Sequence, residues 1–266
     1  MQRRTLLISA LSTGLLPHAH ATPTERERAD WAHLFKQAEA TGCLVVLDAR
    51  DGGEALHVVN RERAERRYTP ASTFKVPHSL FALDAGLLRD EFQVIKWDGV
   101  QRRVPAWNAD QDLRSAMRHS ALWVYERFAK ELGDQREAAY LRKTGYGNAL
   151  ATGKAPFWVG GDLAISAFEQ VVFLRRLYRN QLPFQVAHQR LVKDVMVNEA
   201  GPDWILRAKT GWSGRLGWWV GWVERPNGAV FFAINIDTPN REGDLSKRQS
   251  IVKAALLGMQ AWGPSP

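Results

Sequence analysis

The 266-residue sequence contains a single cysteine, Cys43, so an intrachain disulfide is excluded. This cysteine lies in the apolar run Cys43-Leu-Val-Val-Leu47, and we interpret it as a small buried hydrophobe. The sequence has no Cys-x-x-Cys or cysteine/histidine spacing typical of metal sites, so we expect no metal cofactor. His-Glu-x-x-His, the Walker glycine loop and Gly-x-Ser-x-Gly are also absent, which removes the common signatures of zinc proteases, nucleotide hydrolases and α/β-hydrolases.

Long apolar runs are missing too, because no stretch reaches the roughly 20 residues that a membrane helix needs. A shorter apolar stretch, residues 5–16, follows Arg3 and Arg4 and precedes Ala19-His20-Ala21, which has the small-x-small pattern of a cleavage site. We therefore predict a signal peptide at residues 1–21, a single domain at residues 22–266, and export to the periplasm without a membrane span. The paired arginines leave ordinary secretion and twin-arginine export both open.

Positive charge is in excess but is not concentrated on one segment. The formal net charge is +8, and the most basic run is Arg61-Glu-Arg-Ala-Glu-Arg-Arg67, which two glutamates interrupt. Such a run is typical of a solvated loop and does not predict a nucleic-acid partner. The hydrophobic fraction of 45% and the 11 tryptophans indicate a substantial core, whereas the oligomeric state stays open.

The order of apolar patterns predicts an α+β fold. Residues 25–38 have helical periodicity, and residues 43–47 and 54–60 are predicted to be strands on either side of the turn Asp51-Gly-Gly53. Residues 72–200 show helices and loops but no convincing strand. Three more strands are predicted at residues 203–209, 217–224 and 229–237, followed by a last helix. We predict a five-stranded antiparallel sheet flanked by N- and C-terminal helices, with an inserted all-helical lobe.

The most informative polar pattern is Ser72 followed three residues later by Lys75, at the predicted start of a helix. Positions i and i+3 lie roughly 60° apart around a helix axis, so the amine can reach the hydroxyl. A serine is a poor nucleophile until a base takes its proton, and a helix start offers free N–H groups for an oxyanion. Alone, Ser-x-x-Lys also fits an ordinary surface helix, but its apolar flanks place Lys75 away from water.

Two further patterns are weak when taken singly. Lys209-Thr-Gly211 ends a predicted strand, where it can present an ammonium and a hydroxyl to a carboxylate while the glycine admits a ligand. Ser120 falls at a break between helical stretches, where it is either a functional hydroxyl or the N-cap of the next helix. None of the seven histidines makes a convincing dyad with Ser72, and a serine hydrolase without one points to a lysine base.

Together these motifs resemble the serine β-lactamases and penicillin-recognising transpeptidases, and most closely the class D, oxacillinase-type enzymes. Tyr146-Gly-Asn148 matches the marker of that class. The similar segments, in the same order over essentially the whole mature chain, are Pro70-Ala-Ser-Thr-Phe-Lys75, Lys96-Trp-Asp-Gly99, Phe157-Trp158, Gly217-Trp-Trp-Val-Gly-Trp222 and Leu245-Ser-Lys-Arg248.

The resemblance implies a β-lactam substrate, antibiotic resistance as the outcome, and a role for each matching residue. Ser72 would be acylated, Lys75 would be the base as a carbamate made with CO2, and Ser120 would pass a proton to the lactam nitrogen. Trp158 would donate its indole N–H to the carbamate. Lys209, Thr210 and Arg248 would hold the substrate carboxylate, and Gly211 would let the substrate approach the backbone. The backbone N–H groups of Ser72 and Trp212 would form the oxyanion hole.

One departure from the family pattern concerns a gate over the carbamate. The Ser-x-Val triplet of the family is Ser120-Ala-Leu122 here, and the residue after Trp158, often leucine, is Val159. The large and the small side chain have exchanged places while their summed volume is kept, a change that cores tolerate best. Two alternatives share the same motifs: a cell-wall D,D-transpeptidase or carboxypeptidase, and a penicillin sensor that stays acylated.

Overall fold

A computed structural model describes residues 24–263 of the chain, so the predicted signal peptide at residues 1–21 lies outside the described residues. The strands are β1 (Thr24–Glu27), β2 (Gly42–Arg50), β3 (Ala55–Val59), β4 (Gly153–Lys154), β5 (Gly160–Gly161), β6 (Val197–Ala200), β7 (Ile205–Trp212), β8 (Leu216–Arg225) and β9 (Gly228–Asp237). The α-helices are α1 (Ala32–Gln37), α2 (Arg61–Glu65), α3 (Lys75–Asp84), α4 (Leu113–His119), α5 (Leu122–Leu132), α6 (Asp134–Thr144), α7 (Ala167–Tyr178), α8 (Val186–Val195) and α9 (Leu245–Gly258).

Seven of these strands form the main sheet, in the order β1-β3-β2-β9-β8-β7-β6. The five central strands are the five that the sequence predicts, and they are antiparallel throughout. The predicted α+β class is confirmed, but the predicted strand number is wrong because β1 and β6 extend the two edges. Every residue of both edge strands is exposed, so neither has the apolar alternation that marks a strand in a sequence.

The N-terminal helix is shorter than predicted. Residues 24–27 pair in parallel with β3, and a single 3₁₀ turn at Ala29–Trp31 then leads into α1. The backbone hydrogen bonds available along β3 outweigh the helical periodicity of this polar segment. The apolar positions are still used, because Trp31 and Phe35 are buried against the sheet.

The sheet separates two hydrophobic cores. Alternate residues of β9 point to opposite faces, so that Phe231 and Ala233 pack towards the helical lobe while Phe232 and Ile234 pack towards α1 and α9. The lobe, which lies between β3 and β6 in the chain, therefore covers one face, and α1 and α9 cover the other. This arrangement places the turn Ala71–Phe74, which leads into α3, beside β7 at the border between the sheet and the lobe.

The lobe contains elements that the sequence did not predict. Helices α6 and α8 and the short strands β4 and β5 were missed, and a capping box of Ser166 and Glu169 opens α7. The basic run predicted to be a loop contains α2, which Asn60 caps by accepting a hydrogen bond from the Arg63 N–H. Within residues 24–263, none of the helices has the length and apolar character needed to cross a membrane.

Candidate active site

Ser72 and Lys75 meet where a 3₁₀ turn, Ala71–Phe74, continues into α3. The Nζ atom of Lys75 donates a hydrogen bond to the Oγ atom of Ser72 over 2.8 Å, and Lys75 is only 1% exposed. Ala71 has a φ of 49°, and its N–H donates to the carbonyl oxygen of Trp158 over 2.8 Å. A backbone in this left-handed region is strained for alanine, so the contact with Trp158 helps to hold the turn that presents Ser72.

The surroundings of Lys75 favour a neutral amine. Burial lowers the pKa of Lys75 well below its usual value, the positive charge of Lys209 lowers it further, and the negative charge of Glu126 opposes both. No carboxylate between residues 24 and 263 forms an ion pair with Lys75. Its nitrogen instead lies 5.1 Å from the centre of the Tyr125 ring. A neutral amine can accept a proton or react with an electrophile, which an ordinary lysine at neutral pH cannot do.

Two polar groups that the sequence singled out are buried without a hydrogen-bond partner among the described residues. They are the Oγ atom of Ser120 and the indole Nε1 of Trp158. Ser120 follows α4 with a φ of 56°, and the N-cap of α5 is Ala121, so the interpretation of Ser120 as an N-cap is wrong. Leaving a buried donor unpaired costs about 1–3 kcal/mol, and such groups are ready to bind a ligand or a modified side chain.

The second half of the site holds two buried cations. The pKa of Lys209 on β7 is lowered to about 7, mainly by burial and to a smaller extent by the nearby charge of Arg248. Burial also lowers the pKa of Arg248 on α9 to about 10. Nη1 of Arg248 donates to the carbonyl oxygens of Gly211 and Trp218, at 2.8 and 2.9 Å. In the described part of the chain neither cation is paired with a carboxylate, so a bound anion would find two partners.

Glycines bring the two halves together. A Cβ atom at Gly211 would lie 2.8 Å from the carbonyl oxygen of Pro70 and 3.1 Å from Cγ2 of Thr73, so β7 packs directly against the turn that carries Ser72. A Cβ atom at Gly217 would lie 3.0 Å from Cδ of Arg248. Both positions thus require close approach of the backbone. The neighbouring Trp212 is half-buried, and its Nε1 donates to Oγ1 of Thr238 over 3.2 Å.

A cavity of about 380 Å³ opens beside these residues. It lies between the end of α4 and strand β7 and is lined by Met117, Arg118, Val195, Val197, Asn198, Ala208, Lys209 and Thr210. The end of α4, which leads into Ser120, therefore faces the strand that carries Lys209. The fold thus gathers a serine–lysine pair, an indole donor and two cations at one border of the sheet.

Comparisons with known proteins identify the family of this chain. Residues 42–257 match the penicillin binding protein transpeptidase domain. The chain is 58% identical to β-lactamase OXA-2 of Salmonella typhimurium over 95% of this chain and 92% of that relative. It is 42% identical to β-lactamase OXA-48 of Klebsiella pneumoniae over 87% of this chain and 88% of that relative. The chain belongs to the class D β-lactamase family. A crystal structure of a class D β-lactamase from Nostoc superposes with a TM-score of 0.82 at 34% identity, covering 87% of this chain and 99% of that one.

The two side chains of the predicted gate lie at the border of the core. In this class D enzyme Leu122 is the first residue of α5, and Val159 directly follows Trp158. Both are half-buried and pack against the core that contains Trp158. In residues 24–263 no group of three histidine, cysteine or acidic side chains is placed to hold a metal ion.

Sequence reasoning missed two residues that contact Lys75. Tyr125 lies over the amine, and Ser79 donates from Oγ to the carbonyl oxygen of Lys75 over 2.8 Å. The hydroxyls of Ser79 and Tyr125 are 3.2 Å apart, so they link α3 to α5. A signal for Tyr125 was present, because it lies three positions after Leu122 and therefore on the same side of a helix. Ser79 shares α3 with Lys75 but has no distinguishing motif.

Proposed function

We propose that this enzyme hydrolyses the β-lactam ring of penicillin-type antibiotics through an acyl-enzyme on Ser72, and so confers resistance to them. The observation that carries this proposal is the hydrogen bond of 2.8 Å from Lys75 to Ser72 inside a buried site. The hydroxyl would lose its proton, Oγ would attack the lactam carbonyl, and the C–N bond of the ring would break. Water would then release the acyl group and regenerate the serine.

We further propose that Lys75 works as a carbamate formed from its neutral amine and CO2. When present, the carbamate supplies the general base for acylation and deacylation. The residues fit such a group in three ways: burial lowers the pKa of Lys75, no described carboxylate competes for its position, and Trp158 has an unpaired indole N–H. A buried anion needs a hydrogen-bond donor, and the Trp158 indole would be that donor.

The remaining residues have roles in binding and proton transfer. Ser120, whose hydroxyl is buried and unpaired, would pass a proton to the lactam nitrogen as the ring opens. Lys209, Thr210 and Arg248 would hold the substrate carboxylate, since two of them are buried cations without a described acidic partner. Gly211 would let the substrate lie close to β7. The backbone N–H groups of Ser72 and Trp212 would stabilise the oxyanion.

Leu122 and Val159 would cover the carbamate and control the entry of water. The large and the small side chain are exchanged relative to the family pattern. We therefore expect this pair to alter the rate of deacylation. We also propose that residues 1–21 direct export to the periplasm and that residues 22–266 form one domain. Neither the hydrolysis nor the binding of substrate would need a metal ion.

A chromogenic cephalosporin tests the proposed hydrolysis against the alternatives. Continuous turnover at a catalytic amount of protein is the expected result. A burst of one equivalent followed by a halt would indicate a transpeptidase or a sensor that stays acylated. Mass spectrometry after incubation with a penicillin tests the nucleophile, because Ser72→Ala should abolish both turnover and the covalent adduct. An adduct that persists in this variant would place the nucleophile elsewhere.

A further inference from the structure

A buried pair, His78 and Glu137, lies outside the residues assigned above. His78 is on α3 and Glu137 is on α6, and both side chains are 1% exposed. Nε2 of His78 is 2.6 Å from Oε1 of Glu137, but the geometry is not that of a hydrogen bond, so the two side chains meet as a close polar contact. Burying two ionisable groups costs free energy even when they are paired, and an apolar pair of similar volume is often as stable or more so. Core packing alone therefore does not explain this pair.

The position of His78 connects it to the catalytic residues. It lies three positions after Lys75 on α3, and so on the same side of the helix. The His78 ring is 5.2 Å from the Trp158 ring at an angle of 64°, and 5.0 Å from the Phe74 ring. Phe74 is itself 5.5 Å from Trp158. The imidazole is thus one wall of the aromatic pocket that holds the Trp158 indole.

The Trp158 side chain depends on that pocket for its orientation. Its backbone is fixed, because the carbonyl oxygen accepts hydrogen bonds from the Ala71 N–H and the Thr69 hydroxyl. Its indole N–H has no partner within residues 24–263, so only packing against neighbouring rings sets its direction. His78 differs from the phenylalanines in this pocket because a carboxylate on another helix contacts its far end.

We propose that His78 and Glu137 are a positioning pair that fixes the Trp158 indole, and thereby sets how firmly a carbamate on Lys75 is held. This inference rests on the carbamate proposed above. Loss of the Glu137 contact would let the imidazole ring rotate. The indole N–H of Trp158 would then no longer be held in one orientation. Neither residue touches the substrate, so the effect would be on formation of the carbamate and not on substrate binding.

Glu137→Gln tests the pair, since the substitution keeps the size of the side chain and removes its charge. We expect the bicarbonate concentration for half-maximal activity to rise about tenfold, the low end of what losing an outer-shell partner costs a metal site. KM at saturating bicarbonate should not change. The second readout is the carbamate signal in NMR spectra with ¹³C-labelled bicarbonate, which should be weaker than in the unaltered enzyme at equal bicarbonate. Glu137→Asp, which keeps the charge but shortens the reach, is the variant to use if Glu137→Gln does not fold.

Leu141→Ala is the matched control, because Leu141 is buried one turn further along α6. It should lower the melting temperature and leave the bicarbonate requirement unchanged. An unchanged requirement in the folded Glu137 variants, together with a normal carbamate signal in the unaltered enzyme, overturns this inference alone. Absence of the signal from the unaltered enzyme overturns the carbamate proposal and this inference with it.

Discussion

Lys209 and Arg248 are two buried cations that share one site without a described carboxylate between them. Burial and then the charge of Arg248 lower the pKa of Lys209 to about 7. Lys209 is therefore protonated below that pH in the free enzyme and loses its proton above it. An anionic substrate binds the protonated form, so we expect kcat/KM for carboxylate-bearing β-lactams to fall as the pH rises through about 7.

Arg248→Ala should separate binding from chemistry at these cations. Losing a hydrogen-bonded charge costs about 1.5–3 kcal/mol, so we expect KM for penicillins to rise roughly 10- to 150-fold, with a smaller fall in kcat. Removing the positive charge should also raise the pKa of Lys209 and move the alkaline limb of the kcat/KM profile to higher pH. Arg248→Lys is the control, since it keeps the charge but loses the planar fork. An unchanged KM for several penicillins would make Arg248 structural.

Gly211→Ala should lower activity through a steric clash alone. The new methyl group would lie 2.8 Å from the Pro70 carbonyl oxygen, and it would push the Ser72 turn away from β7. Overpacking of this kind costs about 1–3 kcal/mol, and we expect kcat to fall more than the melting temperature would suggest. Gly258→Ala, at the end of α9, has no atom within 4 Å of the added Cβ and should leave kcat unchanged. Equal activity of the two variants would contradict the close approach.

The sequence was sufficient for the parts of the molecule that rest on local patterns. The five central strands have apolar alternation and clear turns, and the i, i+3 spacing of Ser72 and Lys75 predicted their contact. Strands β1 and β6 have no such pattern, because their side chains are exposed. Each forms through backbone hydrogen bonds to a neighbouring strand. A proline disturbs a helix interior, but α3 begins at Lys75, so the missing N–H of Pro77 falls in the first turn, where no intrahelical partner exists. The His78–Glu137 contact joins two helices and leaves no mark in either local sequence.

The gate can be tested through the coupling between Leu122 and Val159. Leu122→Ala should admit bulk water and weaken the modification of Lys75, which would appear as a higher bicarbonate requirement. The double variant Leu122→Val with Val159→Leu should be milder than either single change, because side chains in contact do not contribute independently. The measurement is the turnover of all four variants, Leu122→Ala, Leu122→Val, Val159→Leu and the double, at several bicarbonate concentrations. Strict additivity of the two single changes would show that these side chains do not touch.

Glu126 should affect the pKa of Lys75 through its charge, without direct contact. Its negative charge raises the pKa of Lys75, so Glu126→Gln should lower that pKa further and increase the neutral fraction of the amine. Because Glu126 is exposed and screened by solvent, we expect only about a two- to threefold drop in the bicarbonate needed for half activity. Glu131→Gln, also exposed on α5, is the control and should have no effect. The difference should shrink at high salt. A rise in the bicarbonate requirement would contradict this electrostatic role.

The proposed carbamate on Lys75 can be tested through its dependence on CO2. A free lysine has a pKa of about 10.4, so at pH 7 only roughly one amine in 2,500 is neutral and able to add CO2. Burial lowers the pKa of Lys75 and makes the neutral amine accessible. Acid should reverse the modification, because a protonated carbamate releases CO2. We therefore expect activity lost in mildly acidic, CO2-depleted buffer to return when bicarbonate is added.

Three variants make this test specific to the site. Trp158→Phe keeps an aromatic ring but removes the indole N–H, so it should need more bicarbonate for the same rate, and Trp158→Ala should need more still. Lys75→Ala should not respond to bicarbonate at all, because it has no amine to modify. If turnover of the unaltered enzyme is indifferent to bicarbonate across this pH range, and labelled CO2 leaves no signal on Lys75, a free amine at 2.8 Å from Ser72 becomes the better account of the base.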